Sequence, residues 1–160
     1  MFNQEIKTTL APSAIGAYSQ GLRVGDFVYL SGQIPVDPVT SQIVSDDVKE
    51  QTMQVMKNIM GILSSEGLKS YHILKTTIYL TNMEDFQAVN EVYAQFFNEP
   101  YPARSCVGVV ALPKNAKVEI ECVVLDTLAY ERQSGCGCGC GSDCGSDCGS
   151  DCGSDCECCG

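Results

Sequence analysis

Residues 135–160 contain only Cys, Gly, Ser, Asp and Glu, and this loss of every large apolar side chain divides the chain. A segment without Leu, Ile, Val, Phe or Tyr cannot offset the entropy of ordering its backbone by burying surface. Residues 1–133 must therefore hold the folded domain, and 134–160 form a low-complexity tail expected to be disordered on its own. Apolar residues make up 44% of the 160, enough for one core in the first part.

Charge divides the same way. Of the formal net charge of -10, Asp143, Asp147, Asp151, Asp155 and Glu157 carry five, leaving -5 for the domain. Ten Lys and Arg against twenty Asp and Glu, with no basic run, give nucleic acid little electrostatic footprint, so no nucleic-acid partner is expected. The opening MFNQEIKTTLAPSA has no charged start followed by an apolar core, and no window approaches the roughly 20 apolar residues that span a bilayer. The expectation is a cytoplasmic protein with no membrane contact. Of eleven cysteines, only Cys106 and Cys122 lie in the domain, and in a reducing compartment the other nine suit metal binding better than disulfides.

Within the domain, Val24, Phe27, Val28, Tyr29 and Leu30 flank the turn pair Gly25-Asp26 and predict a β-hairpin ending in Ser31-Gly32-Gln33. Pro35, Asp37, Pro38, Thr40 and Ser41 mark a loop. Ser45, Asp46 and Asp47 offer N-cap and first-turn acids to a helix with apolar positions Val48, Val55, Met56, Ile59, Met60 and Leu63, stopped by Gly67. Ile73, Thr76, Thr77, Ile78 and Tyr79 predict a strand over 71–80. In a second helix Phe86, Val89, Asn90, Tyr93 and Phe97 recur at spacings of three and four, which turns Asn90 inward. Strands at 104–110 and 117–126 close the domain, separated by a Pro113-Lys114-Asn115 turn. The order reads as an α+β domain, a mixed sheet with two helices on one face. The other face needs a cover, and self-association is the expected one.

Period-two geometry sets Arg104, Cys106, Gly108 and Val110 on one face of their strand and Glu119, Glu121 and Val123 on one face of the next. An arginine and a carboxylate are thus read as near neighbours on adjacent strands. The planar fork of Arg104 suits a carboxylate-bearing metabolite, with a structural Arg–Glu pair as the competing reading. Glu119 suits the positioning or deprotonation of a water if partly buried, and a solvent-facing strand acid is its plainer alternative. Cys106 lacks a base, because the single histidine, His72, lies at a strand start and reads as a surface residue. Shape and backbone contacts are its expected contribution. The turns Gly16-Ala17-Tyr18-Ser19-Gln20 and Ser31-Gly32-Gln33 carry hydroxyls suited to lining a pocket. No GxGxxG, Walker loop or HExxH supports nucleotide or catalytic-zinc chemistry in the domain.

Six blocks carry a resemblance: APSAIGAYSQ (11–20), SGQIPVDPVT (31–40), KTTIYL (75–80), Val89-Asn90, YPARSCV (101–107) and LPKNAKVEIE (112–121). In order and spacing they resemble the Rid (reactive intermediate deaminase, YjgF-like) family over residues 6–126. The resemblance implies a chorismate-mutase-like protomer, a homotrimer whose sheets form a central barrel, and three sites in clefts between subunits. It implies hydrolysis of 2-imino acids such as 2-iminopropanoate and 2-iminobutanoate to 2-oxo acids and ammonia, with no cofactor. By position, the substrate-binding arginine falls on Arg104, the acidic residue on Glu119, the pocket cysteine on Cys106 and the tyrosine on Tyr18. Ser31, Gly32 and Asn90 take the remaining pocket positions. Arg104 would clamp the substrate carboxylate while Glu119 holds a water for attack on the imine carbon.

Nothing in that family accounts for the tail. Cys136, Cys138 and Cys140 form a Cys-x-Cys-x-Cys run, four-residue repeats place Cys144, Cys148, Cys152 and Cys156, and Cys158-Cys159 close it. Thiolates are soft ligands, and this spacing with flexible Gly lets several grip one Zn or Cu(I) ion. Competing readings are a bland extension, a redox-responsive polythiol and a peptide substrate for a cysteine-modifying enzyme. A second class of function stays open: a trimeric scaffold that binds small metabolites and carries metal-binding or redox-active thiol tails.

Overall fold

In the computed structural model, which describes residues 3–134, the first helix begins at its cap. The Asp47 carboxylate accepts from the backbone N–H of Lys49 and Glu50 at 2.8 and 3.0 Å, and helix α1 runs Val48–Ser65. Its stripe of Val55, Met56, Ile59, Ile62 and Leu63 is fully enclosed, each burial contributing about 1.5–3 kcal/mol. The N–H groups of Glu66 and Gly67 close its end on the carbonyls of Leu63 and Ser64.

The second helical run is broken into pieces. A 3-10 turn at Met83–Asp85, helix α2 at Phe86–Tyr93 and another 3-10 turn at Ala94–Phe96 share the spacing that sequence reads as one helix. Helix α3, Leu128–Ser134, was not foreseen, and neither was strand β1, Asn3–Ile6, where only Ile6 is buried and no alternation is left to read.

The other strands are β2 (Gly21–Val24), β3 (Phe27–Gln33), β4 (Ile73–Leu80), β5 (Ala103–Gly108) and β6 (Val118–Leu125). They form one mixed sheet in the order β1-β2-β3-β6-β4-β5, with β4 and β5 parallel across the α2 crossover and all other pairs antiparallel. The expected hairpin is β2–β3, where Val24 pairs with Phe27 around Gly25-Asp26. Val28, Leu30, Ile78, Leu80, Val118, Ile120, Cys122 and Val124 point at the helices and are buried. Tyr29, Thr77, Tyr79, Glu119, Glu121 and Val123 alternate onto the other face.

This order corrects one expectation. Arg104 and Glu119 do not stand on adjacent strands, because β4 lies between β5 and β6. Thr76 pairs with both Arg104 and Cys122, on the helix-covered face, whereas Glu119 pairs with Tyr79 on the open one. The two side chains therefore leave the sheet in opposite directions.

His72 is also not a surface residue. At 2% exposed, it lies in a 3-10 turn beneath α3. Its Nδ1 accepts from the Lys69 N–H at 3.0 Å, and its Nε2 lies 3.2 Å from Glu131 Oε1.

No helix among the described residues is long and apolar enough to cross a membrane. The expectations for the cysteine-rich tail fall outside the described residues.

Candidate functional site

The Glu119 region is built where two strands become irregular. The pairing of β3 with β6 shifts register between Leu30 and Gln33, and this bulge holds Ser31 and Gly32. A Cβ on Gly32 would stand 1.9 Å from Glu119 Oε1, so only glycine lets the carboxyl lie across the strand. Ahead of β6, the turn Pro113–Asn115 places Lys114 and Asn115 at φ 56 and 58 and turns the chain into Val118 and Glu119.

The loop preceding β2 closes over them. Ser31 Oγ donates to the Ser19 carbonyl at 2.6 Å, and the Tyr18 hydroxyl accepts from the Ile15 N–H at 3.3 Å. The result is a cavity of about 600 Å³ lined by Ile15, Tyr18, Ser31, Gly32, Ile34, Pro113, Lys114, Glu119 and Glu121. Burial pushes the Glu119 carboxyl above its ordinary pKa, and the neighbouring Glu121 charge adds to the shift. Tyr79 donates to Glu121 at 3.1 Å, while Glu119 has no hydrogen bond or ion pair among the described residues. Such a carboxyl is free to exchange a proton with a water or substrate.

The Arg104 region is built differently. Arg104 is the second residue of β5 and its Nη1 donates to Asn90 Oδ1 on α2 at 2.8 Å. Its guanidinium carbon lies 5.1 Å from the Tyr93 ring centre and 5.6 Å from that of Phe86, within cation–π range. Tyr93 is itself fixed by a 2.9 Å bond between its hydroxyl and Thr76 Oγ1, and burial raises its phenol pKa. A cavity of about 480 Å³ opens here, lined by Asn90, Tyr93, Ala94, Tyr101, Pro102 and Arg104. The remaining guanidinium donors are available to an anion.

The expected site residues thus fall into two half-sites. Tyr18, Ser31, Gly32 and Glu119 come together in one, and Asn90 and Arg104 in the other. Cys106 follows Arg104 by two residues on the same face of β5, half-buried, with burial raising its thiol pKa. It lines neither cavity. Sequence reading missed Ile15, Ile34, Lys114, Tyr93 and Tyr101 as lining residues. Two signals were available: Tyr93 follows Asn90 by three positions on a helix, and Lys114 sits in the turn that delivers Glu119. No group of three metal-ligating side chains occurs among the described residues, and Cys136, Cys138, Cys140, Cys144, Cys148, Cys152, Cys156, Cys158 and Cys159 lie outside them.

Residues 8–125 match the family described as endoribonuclease L-PSP. A 2-iminobutanoate/2-iminopropanoate deaminase from Dermatophagoides farinae is 44% identical over 120 residues, 75% of this chain and 94% of its own. The human protein of that name is 42% identical over 125 residues, 78% of this chain and 91% of its own. Among solved structures, E. coli TdcF with bound serine is 45% identical with a TM-score of 0.73, covering 76% of this chain and 98% of TdcF. The matched span includes both half-sites and stops short of the tail. On this match, and on the six sequence blocks that fall within it, the chain belongs to the endoribonuclease L-PSP family, that of the Rid (YjgF-like) proteins.

Proposed function

We propose that this protein hydrolyses small 2-imino acids, such as 2-iminopropanoate and 2-iminobutanoate, to 2-oxo acids and ammonia. In this reading it is a homotrimer in which the Arg104 half-site of one protomer meets the Glu119 half-site of the next. One observation carries it. Each half-site holds one of the two groups that imine hydrolysis needs, a carboxylate-binding cation or a proton-exchanging acid, without a charged partner for it among the described residues. The names of two relatives at 44% and 42% identity support the substrate class.

Arg104 would hold the substrate carboxylate by its free donors. Ionised Glu119 would take a proton from a water as the water oxygen adds to the imine carbon and the imine nitrogen gains a proton from solvent. Protonated Glu119 then gives its proton to that nitrogen as the C–N bond breaks with its electron pair on nitrogen, which leaves as ammonia and returns Glu119 to its ionised form. The hydroxyl proton is released to solvent as the C=O bond forms. The reaction proceeds readily in water, so positioning and modest electrostatic help suffice and no cofactor is required.

The test is 2-oxo acid release in an assay coupled to a serine or threonine dehydratase. An Arg104→Ala variant that clears the imine as fast as wild type would sink the clamp. Binding of small carboxylates without turnover would favour the scaffold reading. Cleavage of RNA would favour the activity in the family's description, for which ten basic against twenty acidic residues provide little attraction.

For the tail we propose binding of soft metal ions, Zn or Cu(I), by its thiolates. Nine cysteines among residues 135–160 supply a donor set suited to them. Full-length protein should hold metal that a chain ending at Gln133 does not. Equal metal content, with no thiolate-to-metal absorption on titration, would leave the redox or bland readings.

A further inference from the structure

The segment that walls the Glu119 cavity has no helix or strand of its own. Residues 7–20 are irregular, yet they supply Ile15 and Tyr18 to the lining. A loop of that kind keeps its shape through side-chain bonds, and one side chain provides most of them here.

Gln20, immediately before β2, is 3% exposed. The two N–H groups of its Nε2 are shared among the carbonyls of Thr8, Ala11 and Pro12 at 3.0, 3.1 and 2.7 Å, and its Oε1 accepts from the Thr8 N–H at 2.7 Å. Its own carbonyl accepts from the N–H of Ser31 at 3.1 Å. Position 20 thereby ties the start of the loop to the strand that carries Ser31 and Gly32. A second pin lies behind. A Cβ on Gly61 of α1 would stand 2.5 Å from the Leu10 carbonyl oxygen, so glycine there lets the loop rest directly on the helix. The span with Ile15 and Tyr18 hangs between this pinned base and β2.

We propose that Gln20 is a positioning residue of the Glu119 cavity: its buried amide fixes the loop that sets Ile15 and Tyr18 against the substrate. The requirement for an amide follows from its partners. Three carbonyls need a donor and one N–H needs an acceptor at the same side-chain tip, which neither a carboxylate nor a thioether supplies. Methionine at this position would leave buried groups unpaired, and ionised glutamate would turn an acceptor toward three others.

The catalytic part of the test rests on the imine-hydrolysis reading, and the amide-exchange part does not. In the full-length chain, Gln20→Met should raise KM about tenfold with kcat changed less than about threefold, because Arg104 and Glu119 are untouched. The Thr8 amide should exchange at least about tenfold faster, having lost its acceptor. Gln20→Glu should be worse than Gln20→Met near neutral pH and recover as the pH falls and the carboxyl regains an O–H donor. A folded Gln20→Met protein with unchanged KM, or with the loss confined to kcat, overturns the proposal. If both variants fail to fold, Gly61→Ala takes their place. It displaces Leu10 from a helix outside the cavity and should raise KM likewise, and an unchanged KM overturns the proposal. Wild-type protein without turnover would count against imine hydrolysis alone, and unchanged exchange over residues 8–19 in Gln20→Met would then overturn the role of Gln20 in fixing the loop.

Discussion

The two half-sites hold opposite charges in opposite ways. Arg104 lies against the ring faces of Tyr93 and Phe86 with Asn90 as an acceptor, surroundings that favour a cation without neutralising it. Glu119 lies in a cavity beside another acid, Glu121, surroundings that favour the neutral carboxyl. A cation kept available and an acid kept ready to hold a proton are complementary to one small imino acid. The sheet nevertheless sends them to opposite faces. What separates them is strand order and register: β4 lies between β5 and β6, and the β4 partners Thr76 of Arg104 and Tyr79 of Glu119 are three residues apart and so face opposite sides.

The sharpest way to break this comparison is to split the half-sites between protomers. Arg104→Ala and Glu119→Gln should each lower kcat/KM by about 10²- to 10⁴-fold, the range for removing a positioned acid–base or charge-stabilising group. Mixing the two inactive variants under conditions that exchange protomers should restore activity. Random assembly of equal amounts would rebuild about a quarter of the sites, since each intact site needs the arginine of one protomer and the glutamate of the other. Mixed protein that stays inactive while exchange is demonstrated would show that the half-sites do not meet.

Local pattern made most of the elements legible and left their adjacency hidden. Gly25-Asp26, Asp47 and Gly67 act on residues next to them in sequence, so the hairpin and the ends of α1 could be read from short windows. The faces of β5 and β6 were legible for the same reason, since alternation needs only one strand. Pairing between strands is a non-local property. The connection from β5 to β6 looks like a hairpin turn but carries the chain past β4, and nothing within 104–126 reports that β4 lies in the gap. The family resemblance placed sites between subunits, which the residues alone did not. His72 escaped because α3, the helix that covers it, is too short to leave a periodic signal.

The supports of Arg104 should be separable with smaller effects. Asn90→Ala removes its hydrogen-bond acceptor and should raise KM by up to about tenfold, with kcat less affected. Tyr93→Phe keeps the ring under the guanidinium but removes the bond to Thr76, costing about 0.5–1.5 kcal/mol of stability by denaturant titration with little change in KM. The reverse pattern would mean that the phenol hydroxyl, rather than the ring face and Asn90, prepares the cation.

Glu119, when ionised, should cost the fold stability. Its pKa is raised in the folded state, so the folded protein holds the proton at pH values where the unfolded chain has released it. The favourable contribution is fully present below the unfolded value and is lost as pH rises through the folded one. At pH 7 Glu119→Gln should therefore melt higher than wild type, and the gap should close toward about pH 3.5, where both forms carry a neutral side chain. A variant that melts lower at pH 7 would indicate that the carboxylate is stabilised by a partner.

The smallest effect should come from Glu121, and it separates the two causes of the Glu119 shift. Burial is the larger cause and the Glu121 charge the lesser. Glu121→Gln leaves the cavity in place and removes only the charge, so the acid limb of the kcat/KM profile should move to lower pH. Tyr79 keeps an amide oxygen to donate to at that position, which limits rearrangement of the open face. A limb that stays in place would assign the shift to burial alone. The contrast between the half-sites would then reduce to burial, with Arg104 exposed and Glu119 half-buried against Gly32.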